Sequence, residues 1–192
     1  STKKNVVEIA RAALGERVGQ FVPAHPIAGS HLMGPTAAKA DLYAGRQVVV
    51  CPLPENTAYA VERVSYAWRV CGALIRQLDP KKHDEIMATI SHLPHWLAVV
   101  YMTHVLNDPN SHLDLAMAGT GFADYTRIAQ GSDEMWRDIM MQNRDVMLAQ
   151  IKAYQVILTD AQKALEMGDE SVLQTFFQRA AIARREWEAN RT

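Results

Sequence analysis

Apolar residues recur at helical spacing from the first turn of the chain. Val6, Ile9, Ala10, Ala13 and Leu14 form one stripe, so a helix is predicted, with Ser1 or Thr2 as its N-cap and Gly15 closing it. Short unbroken apolar runs follow at Phe21-Val22, Val48-Val49-Val50-Cys51 and Ala73-Leu74-Ile75, the pattern of buried strands. Between the last two, Pro54-Glu55-Asn56 introduces a helix carrying Tyr59, Val61, Val64, Ala67, Trp68 and Cys71, with Gly72 at its end. This is the alternation of α/β units, although three strands supply only the far side of a sheet.

From Asp79 the pattern becomes helical throughout. Asp79-Pro80 pairs an N-cap acceptor with a proline whose missing N–H does no harm in the first turn. That helix is predicted to run towards Asp108 and to bend near Pro94, which cannot donate to the preceding turn. A loop from Asn107 to Gly121 leads into a short segment, Phe122 to Ala129. Ser132-Asp133-Glu134 then caps one long helix to about Met167, and Gly168-Asp169 separates it from a last helix ending near Asn190. Ile139, Val146, Ile151, Ile157 and Leu158 stripe the long helix as core or subunit interface. The expectation is a mainly α protein with a small α/β part: residues 1–78 as the α/β portion and 79–192 as the helical one.

Composition narrows the functional classes. With 192 residues and 48% hydrophobic content the chain can bury a sizeable core. A net charge of −1 gives no electrostatic case for nucleic acid or for an anionic membrane surface. The most apolar stretch, Trp96 to Met102, is too short to span a bilayer. Cys51 and Cys71, in apolar settings without metal-ligand spacing, are expected to be buried free thiols in a reducing compartment, the cytoplasm.

The candidate chemistry centres on His25-Pro26-Ile27-Ala28-Gly29-Ser30. Proline holds its neighbour extended, so the His25 imidazole is aimed, while Gly29 and Ser30 permit a tight turn with donors close by. His92 and His95 stand at i and i+3 around Pro94. That spacing would place two metal ligands on one helix face, but no third ligand is indicated, and no metal is expected. Read from the residues, the two rings form a hydrogen-bond network at the kink. Trp136 is either a core residue or a pocket wall.

Read in order, the His25 block, Asp41-Leu42-Tyr43, Ser91-His92-Leu93-Pro94-His95, Gly121-Phe122-Ala123-Asp124-Tyr125-Thr126-Arg127-Ile128-Ala129 and Met135-Trp136-Arg137-Asp138-Ile139 with Asn143 resemble the prephenate dehydrogenase family, including its cyclohexadienyl and arogenate relatives. The resemblance runs from Ser1 to about Leu158. It implies the distal portion of a Rossmann-like domain followed by an all-helical dimerisation domain. It also implies oxidative decarboxylation of prephenate to 4-hydroxyphenylpyruvate in tyrosine biosynthesis, with hydride transfer to NAD or NADP and a homodimeric state.

The same resemblance assigns roles. His25 becomes the base that takes the substrate's hydroxyl proton, a task suited to a neutral imidazole. Ser1, opening a Ser-Thr-Lys segment, holds base and substrate in register; its other reading is a helix cap. Arg127 grips a substrate carboxylate through its planar fork. His95, Trp136 and Ser30 line the substrate pocket, and Asp84 stands behind it as a supporting or gating carboxylate.

Two departures bear on the pocket's charge. His31 stands where many members carry Glu, and Ala123 where some carry Lys, which leaves prephenate and arogenate undistinguished. The cofactor fingerprint G-x-G-x-x-G of the family is absent from the chain: Gly119-Thr120-Gly121 lacks the third glycine. The chain is therefore expected to be a fragment of a longer enzyme, inactive alone, with no cofactor-binding residues assignable. A non-catalytic helical dimerisation or regulatory module is the rival reading.

Overall fold

A computed structural model describes residues 1–28 and 38–190. The chain divides into two compact units, residues 1–147 and 148–192. The mixed class read from the sequence holds: three short strands stand against a chain that is otherwise mostly helical.

In the first unit, α1 spans Lys4–Leu14 and stops at Gly15, whose φ of 52° suits a glycine. Val7 is its buried residue, packed with Val18 and Leu53, while Val6 and Ile9 of the predicted stripe face outward. Neither Ser1 nor Thr2 caps this helix. Lys3 occupies the N-cap position and supplies no capping side chain, a correction whose cause is the distant Asp84 carboxylate.

The strand expected at Phe21-Val22 falls three residues later, as β1 at Ala24–Pro26. Phe21 and Val22 are apolar because they pack into the two cores, not because they pair. β1 runs antiparallel to β2 (Gln47–Val50), with His25 opposite Val49. Pro26 is tolerated because β1 is an edge strand, where a missing N–H leaves no ladder bond unmade. β2 leads through α2 (Ala58–Val70) to β3 (Leu74–Gln77), parallel to β2, giving the order β1-β2-β3. Val22, Val48, Val50 and Ala73 form the core under α2, against Val61, Val64 and Trp68. Thr57 caps α2 by accepting from Ala60 N–H, and Gly72 ends it at φ 80°, where a Cβ would press on the Ala44 backbone. Cys51 is buried as expected, whereas Cys71, at the C-terminus of α2, is exposed.

Asp79 caps α3 (Pro80–Met87) by accepting from Lys81 and Lys82 N–H. The bend expected near Pro94 takes the form of a π-helical turn over Ala88–His92, immediately before α4 (Leu93–Leu106). The widened turn lets Leu93 N–H reach Ala88 O and accommodates a proline that cannot donate. The segment expected as loop contains α5 (Ser111–Ala116), then come α6 (Thr120–Thr126) and a 3₁₀ turn over Arg127–Gln130. The long helix is broken at Asn143 into α7 (Asp133–Gln142) and α8 (Arg144–Met167).

The second unit, taken alone, holds the rest of α8 and α9 (Glu170–Ala189) around Gly168, with Asp169 capping α9 through Val172 N–H. It leaves Ile157, Leu158 and Phe177 exposed, large apolar side chains of the kind that mark an interaction surface. Among the described residues no helix is long and apolar enough to cross a membrane.

Candidate active site

The site is built where β1 meets α3 and the π turn. Pairing with β2 fixes the backbone of His25, and the imidazole lies at the edge of a cleft of about 700 Å³ lined also by Ile27, Lys39, Arg46, Met87 and Ser91. His25 Nδ1 is 2.8 Å from His83 Nε2, and His83 Nδ1 is 2.8 Å from Asp84 Oδ1. His83 and Asp84 are both buried. Asp84 in turn accepts from the backbone N–H groups of Lys3 (2.8 Å) and Lys4 (2.9 Å). It thus caps α1 from 81 residues away, which is why no side chain of the first turn is needed there.

Asn143 closes the other side. Its amide donates to Asp84 O at 2.9 Å and lies 3.3 Å from His92 Nδ1. These two inward bonds account for the helix break: a side chain turned into a buried polar cluster is held off the helical path. The cluster continues through aromatic contacts. His92 meets the Trp136 ring edge-on at 6.2 Å, and His95 stacks on Trp136 at 3.4 Å between centroids, 13° from parallel. Gly131 sits against this stack: a Cβ there would collide with the indole and come within 3.1 Å of His95 Cε1.

Burial sets the electrostatics. It holds His25 down at about 3, helped by the nearby charge of Lys3, and it lowers His92 to about 4. Both rings are neutral near pH 7. Burial pushes the Asp84 carboxyl upward, but the hydrogen bonds from His83 and from Lys4 and Lys3 N–H outweigh it, and the net position is below the usual carboxylate range. Cys51, raised to about 11 by burial, is an inert thiol.

Of the residues named from sequence, the structure joins His25 to Asp84 through His83, and His95 to Trp136. Ser1 lies just ahead of the capped turn, and no hydrogen bond joins its hydroxyl to His25 among the described residues. Arg127 is exposed on the 3₁₀ turn that packs against α4, and no hydrogen bond or ion pair holds its guanidinium among the described residues. Ser30 and His31 lie outside the described residues. His92 and His95 direct their rings to different partners, so they do not converge as a ligand pair. Sequence reasoning missed His83, although the adjacent His83-Asp84 pair in a capped first turn was a usable signal, and it missed Asn143 as a structural break.

Residues 1–77 match the family model described as prephenate dehydrogenase, nucleotide-binding domain, and residues 79–179 match that described as prephenate dehydrogenase, dimerization domain. The chain belongs to the prephenate dehydrogenase family. A prephenate dehydrogenase of Bacillus subtilis is 34% identical over 183 residues, covering 94% of this chain and 48% of that protein. A cyclohexadienyl dehydrogenase of Zymomonas mobilis is 28% identical over 186 residues, covering 96% and 63% respectively. Among solved structures, prephenate dehydrogenase from Aquifex aeolicus in complex with hydroxyphenyl propionate and NAD+ superposes with a TM-score of 0.89 at 29% identity, over 97% of this chain and 64% of that one. The chain thus spans between 48% and 64% of the length of these three proteins.

Proposed function

We propose that this chain is the substrate-facing portion of a cytoplasmic, homodimeric NAD(P)-dependent prephenate or cyclohexadienyl dehydrogenase, which oxidatively decarboxylates prephenate to 4-hydroxyphenylpyruvate. The observation that carries the reading is His25: a neutral imidazole on a cleft, with one nitrogen committed to His83 and the other without a partner among the described residues. Such a ring accepts the hydroxyl proton as the hydride leaves the same carbon. The Arg127 guanidinium, exposed and uncommitted, suits a substrate carboxylate. His95 and Trp136 supply a flat wall for the ring and Ser1 a hydroxyl in register with the base, while a role for Ser30 as a pocket donor rests on the family resemblance alone. Asp84 supports these groups from behind by holding His83 and the start of α1.

A nicotinamide, when bound, accepts the hydride. The Gly-rich strand-to-helix turn that receives its pyrophosphate is not among these 192 residues, so the chain supplies the acid–base and carboxylate-binding half of the chemistry. Lys39 and Arg46, set against Asp41, give the described lining of the cleft one net positive charge, compatible with an anionic substrate; arogenate, which adds an amino group, is the second substrate to test.

An active enzyme carrying this sequence should turn over prephenate with NAD+ or NADP+, releasing one CO2 per hydride transferred. Assays with prephenate, arogenate and simple hydroxy acids decide the substrate. Failure to oxidise either cyclohexadienyl compound would overturn the assignment in favour of a non-catalytic dimerisation module.

A further inference from the structure

Asp84 is bound from three sides, by two backbone N–H groups of α1 and by His83 Nδ1. An ionised carboxylate only accepts hydrogen bonds, so His83 must place a proton on Nδ1. In the neutral ring its Nε2 is then an acceptor, and the partner it faces at 2.8 Å, His25 Nδ1, must be the donor. With His83 neutral, the tautomer of His25 is thereby set from the start of α1, through two buried side chains: His83 is 0% and Asp84 3% exposed.

Building on the proposed dehydrogenase reaction, we infer that His83 is a positioning residue for the His25 base: it fixes the His25 proton on Nδ1, leaves Nε2 bare for the substrate, and takes over the positive charge when Nε2 is protonated. In that step the substrate O–H bond breaks and an Nε2–H bond forms on His25. The Nδ1–H bond of His25 breaks and an Nε2–H bond forms on His83. The electron pair left on the substrate oxygen makes the carbonyl as the hydride departs to the nicotinamide. One proton has moved from substrate to His83, and His25 ends neutral in the opposite tautomer.

The transfer resolves a conflict within the site. An imidazole held at about 3, chiefly by burial, is a poor resting place for a proton near neutrality. Moving the charge one ring inward sets it 2.8 Å from the Asp84 carboxylate, where a buried imidazolium has its counter-ion. Asp84 here orients the base instead of gating the cleft.

Two experiments test this, and they fail separately from the assigned reaction. Long-range ¹H–¹⁵N correlation on this 192-residue chain, with the His25 signals identified by their loss in His25→Asn, should show His25 protonated at Nδ1 and bare at Nε2. The reverse tautomer would overturn the inference whatever the protein catalyses. In an active enzyme carrying the sequence, His83→Phe keeps a ring of similar volume and removes both polar ends. It should lower kcat by ~100-fold or more, the scale of a lost acid–base function, with KM within about threefold. His83→Gln retains an amide oxygen that can accept from His25 Nδ1–H and should recover about tenfold of the loss. Wild-type kcat in His83→Phe, or equal losses in the two variants, would reduce His83 to packing and overturn the inference. If the unsubstituted enzyme oxidises no cyclohexadienyl compound, the proposed reaction falls while the tautomer result stands.

Discussion

The Trp136 indole lies flat on the His95 imidazole, 3.4 Å between centroids, and Gly131 is the residue whose missing side chain leaves room for the pair. The stack fixes two pocket candidates that come from different helices, α4 and α7. Since Gly131 has a φ of −62°, which any residue adopts, an alanine there acts through its volume alone.

Gly131→Ala should therefore push the indole off His95 and raise KM for prephenate several-fold, with kcat changed by less than about tenfold. Overpacking of this kind costs about 1–3 kcal/mol. Gly119→Ala, where an added Cβ meets nothing within 4 Å, serves as the control. Steady-state kinetics on both variants check this, and equal KM values would remove the stack from the substrate pocket.

Arg127→Ala is expected to weaken substrate binding above all. Loss of a charge-assisted hydrogen-bond pair is worth about 1.5–3 kcal/mol, or roughly 10- to 100-fold in affinity. Because the guanidinium holds no partner among the described residues, the fold should be unaffected. Prephenate KM and the inhibition constant of 4-hydroxyphenylpyruvate read the effect; unchanged values for both would exclude Arg127 from carboxylate binding.

Acid should destabilise the first unit well above the usual carboxylate range. His25 and His92 are held at about 3 and about 4 in the folded chain and titrate near 6.5 when unfolded. Between those limits the unfolded state binds more protons, so stability is fully present above about pH 6.5 and falls as the pH drops towards 4. The lowered Asp84 carboxyl adds loss in the same direction below its unfolded value of 3.8. Urea unfolding across this range should show uptake approaching about two protons between pH 6 and 4.5. A flat profile would mean that the two rings are not buried neutral.

What the sequence disclosed and what it hid follow the range of the interactions. Asp79-Pro80 was legible because a cap is made within one turn. The ordered blocks around His25, Arg127 and Trp136 pointed to the family because several blocks in one order are far more specific than any single one. Phe21-Val22 misled because apolar character reports burial, whereas a strand's limits are set by its pairing partner: here Pro23 O receives Cys51 N–H, and Ile27 N–H reaches Gln47 O. The α1 cap was assigned to Ser1 or Thr2 because nothing local announces a carboxylate from residue 84. His83 offered one local signal, its neighbour Asp84, but its link to His25 spans 58 residues. Asn143 looked like one polar position in a long helix, and only its bonds to Asp84 O and His92 show why the helix stops.

The exposed Ile157, Leu158, Phe177 and Trp187 of the second unit, within or beside a segment matching a dimerization domain, lead to an expectation about this chain itself. It should sediment as a dimer, and Ile157→Asp with Leu158→Asp should shift it to monomer, because a charge buried in an apolar interface goes unpaired. In calorimetry the chain should show no micromolar affinity for NAD+ or NADP+, since the Gly-rich turn is not among its residues. A monomeric wild-type chain would contradict the first statement, and micromolar cofactor binding the second.

The central claim is that His25 is the base, and His25→Asn in an active enzyme carrying this sequence tests it most directly. Asparagine keeps a polar side chain of smaller size on the same β1 backbone and cannot accept the proton at neutral pH. The account predicts that kcat with prephenate falls by ~10² to 10⁴ while KM stays within a few-fold. A variant that retained wild-type kcat across neutral pH would contradict it.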